Sequence, residues 1–116
     1  MSDPLGEKTF AFVLRIAQLS EYLQAERREF TLSRKIVDSS VNIGLFIEEA
    51  RQGDDRTEFR QKYSVANKEA FKTAYLLRVI HGRDFINTKH FDSLRDDCDE
   101  IKKMLISAIK TMKKGD

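Results

Sequence analysis

Apolar side chains return at steps of three and four in four separate stretches of the chain, the spacing that places them on one face of an α-helix. In the first, from about Glu7 to Arg27, Phe12, Ile16, Leu19 and Leu23 form a continuous stripe, widened by Phe10, Val13, Leu14 and Ala17. The second runs from about Leu32 to Gln52, with Ile36, Ser40, Ile43, Ile47 and Ala50 as its stripe. Thr31 is its predicted N-cap, and Gly53 suits a left-handed residue just past its end. The third opens after Asp54-Asp55, where Asp55 and Glu58 have the spacing of a capping box. It carries Phe59, Tyr63, Ala66, Ala70, Ala74 and Leu77 to a predicted stop at Gly82. The fourth, with Thr88 as predicted cap, reaches about Lys113 on the stripe Leu94, Cys98, Ile101, Leu105, Ala108 and Met112.

Helices of this size are ~30–39 Å long at ~1.5 Å per residue. Short connections between them favour antiparallel neighbours. The pattern predicts one all-α domain over residues 1–116, an up-down-up-down antiparallel four-helix bundle with helices at about 7–27, 32–52, 56–81 and 89–113. Apolar residues also lie off the main stripes: Phe10 and Phe12 straddle the first helix, Val41, Leu45 and Phe46 surround the second, and Ile106 and Ile109 widen the fourth. A lone bundle needs one buried face per helix, so this surplus predicts a homo-oligomer.

Composition narrows the picture. A chain of 116 residues has room for a single core, and 34% charged residues with one proline fit helices better than a β-sandwich. The net charge of +2 neither requires nor excludes a polyanionic partner. Cys98 is the only cysteine, so no intrachain disulfide forms and a reducing interior is expected. The opening MSDPLGEKTF lacks a secretory pattern, and no apolar run approaches the roughly 18 residues of a membrane span. A cytoplasmic protein with no membrane partner is expected.

Catalytic patterns are missing from the sequence. Di-iron bundles need Glu-x-x-His on two helices, whereas neither His81 nor His90 follows a glutamate by three. There is no His-Glu-x-x-His, cysteine pair, phosphate loop or Gly-x-Ser-x-Gly. The expectation is a protein without catalysis, metal or cofactor, in which His81 helps to finish a helix and Cys98 acts as a small buried hydrophobe. Asp92, Asp96, Asp97, Asp99 and Glu100 lack the alternation of a calcium loop and read as a charged helix face. Lys102, Lys103, Lys110, Lys113 and Lys114 follow them. Repeated around an oligomer, these lysines are candidates for contacting the phosphates of RNA or DNA, in a salt-sensitive and weakly selective way. No aromatic residue lies in that segment to stack on bases. The near balance of 21 basic and 19 acidic residues fits the alternative, a protein-protein interaction module with no nucleic-acid partner.

Two segments carry a family resemblance. DSSVNIGLFIEEA, residues 38–50, aligns without gaps to R-S-A-T-S-I-G-A-N-I-A-E-A, keeping Ser39, Ile43, Gly44, Ile47, Glu49 and Ala50. KYSVANKEAFKTAYLL, residues 62–77, aligns to K-L-x-I-A-L-K-E-A-x-E-T-x-Y-W-L, keeping Lys62, Ala66, Lys68, Glu69, Ala70, Thr73, Tyr75 and Leu77. Together they resemble the four-helix-bundle family named for proteins encoded within 23S ribosomal RNA intervening sequences. That family includes accessory variability determinants of diversity-generating retroelements. This chain departs from the pattern at Phe46, where the family has asparagine, at Glu48, and at Lys72 in place of a second glutamate. The resemblance implies a closed bundle assembling as a homopentamer, and nucleic acid or a reverse transcriptase as partner. Glu49 and Glu69 are expected to be partly buried and paired with Lys62, Lys68 or Arg51. Gly44 is expected to let a neighbouring helix approach closely, and Ser40 to bond a carbonyl one turn back.

Overall fold

Each helix begins and ends where a local chemical reason lets it. The computed structural model describes residues 3–115, with side chains from Asp3 to Met112. Helix α1 (Pro4–Arg27) opens on a proline, whose missing N–H is one the first turn would leave unbonded anyway. Asp3 caps it, accepting from the Gly6 N–H at 3.1 Å. Helix α2 (Thr31–Gln52) lacks the expected Thr31 cap, because Thr31 is already helical and Phe30 precedes it. Glu29 serves instead: its carboxylate accepts from the Ser33 N–H at 3.0 Å, and its carbonyl accepts from Ser33 Oγ at 2.9 Å.

Helix α3 (Arg56–Gly82) is capped by Asp55, which accepts from the Thr57 N–H at 2.9 Å. In α4 (Thr88–Gly115) the cap is Asn87, one residue before the expected Thr88, accepting from the His90 N–H at 2.7 Å. Thr88 Oγ1 lies instead 3.1 Å from His81 Nε2, and the His81 ring stacks on Phe91 with centroids 4.3 Å apart. The glycines expected to finish helices do so differently. Gly53 is extended (φ −87°, ψ 152°), feeding the chain straight towards Asp55, and Gly82 is still helical. The left-handed positions are taken by Arg28 (φ 54°) and Asp84 (φ 60°).

Cross-helix pairs fix the topology. Ser39 meets Thr73, Asn42 meets Glu69 and Lys62 meets Glu49, so numbering rises along α2 as it falls along α3. Lys8 and Arg15 meet Asp97 and Ser93 in the same antiparallel sense, as do Asp3 and Gln24 with Arg51 and Ser33. Each helix packs on its chain neighbours, α4 returns to α1, and the pairs α1–α3 and α2–α4 lie on diagonals, their backbones not closely approaching. The result is an up-down-up-down bundle 48 × 24 × 22 Å.

The stripes point inwards. Phe12, Ile16, Leu23, Ile36, Ile43, Ile47, Leu77, Leu94, Ile101 and Leu105 are at most 1% exposed. Phe12 is therefore wholly core, and Phe46 and Ile109 are half-buried against that core, so these three do not supply an outer apolar face. On α3, Phe59 and Ala74 are only half-buried while Thr73, Leu76 and Ile80 are buried, because this helix is pressed from two sides by α2 and α4. Among the described residues no helix is long and apolar enough to cross a membrane.

Candidate functional site

The motif residues of α2 and α3 meet in one polar seam. Thr73 Oγ1 donates to the Glu69 carbonyl at 2.9 Å and lies 2.7 Å from Ser39 Oγ, both hydroxyls buried. Glu69 is only 9% exposed, and its Oε1 accepts from Asn42 Nδ2 at 3.0 Å. Lys72 Nζ lies 3.0 Å from Glu69 Oε2 but off a hydrogen-bonding direction, so it supplies charge rather than a bond. The lysine that replaces the family's second glutamate is thus the counter-ion of the buried first one. Glu49 is exposed rather than partly buried and pairs with Lys62 at 2.9 Å, while Lys62 also lies over the Phe46 ring at 5.6 Å. Arg51 turns to Asp3 and Glu48, and Lys68 is exposed with no ion pair among the described residues. Ile43, Ile47, Ala50 and Ala70 are core, and Ser40 Oγ bonds the Val37 carbonyl at 3.1 Å. Asn42 was the member that sequence reasoning missed. Its signal is its place on the flank of α2 beside Ser39, facing the helix that carries Glu69.

The acidic start of α4 is a set of ion pairs. Arg15 reaches Asp97 at 2.6 Å, and Lys8 reaches Glu100 at 3.1 Å and Asp97 at 3.4 Å, tying α4 to α1. The Glu100 hydrogen bond is the largest influence on Lys8 and raises its pKa, with burial opposing it. Arg95 takes Asp92 and Asp96, and Lys102 takes Asp99. Among the described residues no group of three or more His, Cys, Asp and Glu could hold a metal.

The expected lysine cluster divides. Lys102 is largely covered, paired with Asp99 at 3.1 Å and lying 4.5 Å from the centroid of Phe71, so it is not free to meet a phosphate. Lys103 and Lys110 are exposed, with no carboxylate at ion-pair distance among the described residues. The Lys113 and Lys114 side chains lie outside the described residues. Cys98 is buried, its Sγ 3.4 Å from the Ala70 carbonyl, and burial pushes the thiol up to about 12. A thiolate is the reactive form. Alkylation of the folded protein by iodoacetamide should therefore stay slow from pH 7 to 10, where an exposed thiol would quicken roughly in step with its ionisation. Mass spectrometry of timed samples, native and denatured, checks this.

What remains is apolar surface. Phe10 (66% exposed) and Leu45 (52%) flank a groove between α1 and α2 with a volume of about 290 Å³, and Leu14 (52%) is exposed elsewhere on α1. Val13, Val41 and Gly44 also line the groove. A Cβ on Gly44 would meet only Thr9 Cγ2, at an ordinary 3.7 Å, so the close helix approach expected at this glycine does not occur. On α3, Val65, Phe71 (53%) and Tyr75 (61%) are exposed, with Lys102 over the Phe71 ring at 4.5 Å and Arg78 over the Tyr75 ring at 5.9 Å.

The described residues thus define an antiparallel four-helix bundle whose acidic cluster on α4 is paired with cations and whose outer faces keep large apolar side chains. Its lineage is clear from comparison: the chain belongs to the 23S rRNA-intervening sequence protein family, whose profile matches residues 5–107. It is similar to a crystal structure of a protein of unknown function from the S23 ribosomal protein family of Bacteroides thetaiotaomicron VPI-5482. The two share 37% identity at a TM-score of 0.90, covering 91% of this chain and 98% of that one. A comparison with curated proteins finds no match.

Proposed function

We propose that this chain is a non-catalytic bundle that works by assembling with copies of itself. The observation that carries the reading is the α1/α2 groove, where Phe10 and Leu45 stay exposed although one face of each helix is already buried. Large contiguous apolar surface on a small chain is a mark of an interface. The family resemblance suggests five copies, and light scattering of a 13.5 kDa chain separates that mass from monomer and dimer. Leu45→Glu, an exposed position, should leave the helical circular dichroism unchanged and shift the mass to that of a monomer. A monomeric mass for the unaltered protein at all micromolar concentrations overturns the reading.

A second reading adds nucleic acid, RNA or DNA, and is favoured by the exposed Lys103 and Lys110, which have no carboxylate partner among the described residues. In an oligomer these charges repeat around the axis, so phosphates meet several at once. Relatives in retroelements suggest a reverse transcriptase as the accompanying protein. Binding of a labelled single-stranded RNA at two salt concentrations tests it. Lys103→Glu with Lys110→Glu should weaken binding and flatten the salt slope by about 0.7 per lost phosphate contact. Equal binding by the double variant removes those lysines from the site.

A further inference from the structure

We propose that the cleft between α1 and the start of α4 binds a small phosphorylated ligand with a planar ring, of the nucleoside monophosphate class. The site lies away from the α1/α2 groove and stands or falls independently of self-assembly.

The cleft has two compartments. The larger, about 430 Å³, is floored by the buried Leu19 and Ile86, with Tyr22 and Gln18 beside them. The smaller, about 330 Å³, adds Lys89 and Ser93. Arg15, Asn87 and His90 line both, so the two are continuous along one wall. Sites for small ligands are commonly roughly 300–1,000 Å³, mostly apolar with a few placed polar groups.

The chemistry divides as the space does. In the larger compartment Tyr22, 41% exposed, supplies an aromatic ring on which a flat ligand can stack above the apolar floor. Gln18 is exposed with no hydrogen bond to the protein among the described residues, so its amide keeps both donor and acceptor for the edge of a heterocycle. Asn87 spends its Oδ1 on the His90 N–H and keeps its Nδ2 donors.

The smaller compartment suits an anion. Arg15 is fixed by Asp97 at 2.6 Å, by Ser93 Oγ at 3.0 Å and by the Ser93 carbonyl, which leaves two of its five N–H donors for a ligand. Asp97 offsets the charge of Arg15, so the net positive charge comes from Lys89, exposed and without an ion pair among the described residues. Among those residues no Asp or Glu lines either compartment. One fixed arginine and one free lysine match a single phosphate rather than a chain of them.

The surroundings carry the same sign. Helices α1 and α3 end, and α2 and α4 begin, at one pole of the bundle. Arg27, Arg28, Arg34, Lys35, Arg78 and Arg83 gather there against Glu26, Glu29 and Asp84, and none of the six has an ion pair among the described residues. Uncompensated charge beside a low-dielectric cleft raises the local concentration of anions. Arg27 also donates to the Asp84 and Phe85 carbonyls, both at 3.2 Å, holding in place the loop that carries Ile86 and Asn87.

Titration of the full chain with AMP, followed by backbone amide chemical shifts, tests the site. Saturable shifts centred on residues 15–22 and 86–93 are expected, with ribose 5-phosphate and adenosine each binding more weakly. Tyr22→Ala should weaken AMP by about tenfold, within the range for losing one base–aromatic stack, and leave ribose 5-phosphate unchanged. Lys89→Glu should weaken AMP and ribose 5-phosphate alike and leave adenosine unchanged. Both positions are exposed, and circular dichroism should show the parent helicity. Arg15 is kept, because it ties α1 to α4. No saturable shift at millimolar AMP, shifts centred elsewhere, or an affinity that neither variant alters overturns the proposal. So does a single-stranded RNA that binds these residues and that AMP cannot displace, which would assign the cleft to a polymer.

Discussion

Ile43→Ala is expected to remove about 2–5 kcal/mol of stability, the range for deleting a large side chain from a core that cannot collapse around the gap. Ile43 is 0% exposed, within the apolar stripe of α2 and beside the seam to α3. Against a total of about 5–15 kcal/mol for a domain, that loss should leave a visible unfolded fraction well below the normal melting range. Urea denaturation followed by circular dichroism measures it. A midpoint within error of the parent would mean that α2 does not pack as described.

Its neighbour should behave in the opposite way. Gly44→Leu is expected to leave a single subunit as stable as before, or up to about 1 kcal/mol more so, because helix propensity improves and the Cβ has room. Assembly should be lost, because the new side chain occupies the space between Phe10 and Leu45. Gly44→Ala should show the same gain in stability with most of the assembly retained. Melting at dilute concentration and mass at high concentration separate the two effects. A folded, oligomeric Gly44→Leu protein would show that the groove is open in the assembly. An unfolded one would return the glycine to the interior. Adjacent residues of one motif thus divide their work, one holding the chain together and the other facing away from it.

The helices were legible because burial imposes a period of 3.6 on the sequence, and every predicted stripe has its centre in the core. The caps were less so. A cap is decided by the backbone conformation of one residue, and Asn87 and Thr88 are both good caps one step apart. Glu29 capping α2 from two residues upstream has no simple spacing rule. The lysines of α4 were legible as charges, while the loss of Lys102 to Asp99 and Phe71 depends on α3 lying alongside. The groove could not be read from one helix at a time. Phe10 and Leu45 are 35 residues apart and become neighbours only when α1 and α2 are set side by side.

The seam of Ser39, Thr73, Asn42 and Glu69 has a further consequence, for register. Two apolar helices can slide by one turn, about 5.4 Å, and still cover most of each other's grease. Such a slip would carry Asn42 away from Glu69, leaving the nearly buried carboxylate with the charge of Lys72 beside it but without its amide donor, which costs free energy. Four polar groups in an otherwise greasy contact therefore act as a vernier, making one alignment of α2 on α3 far cheaper than its neighbours. The outer face of α3 takes its height relative to α2 from that alignment.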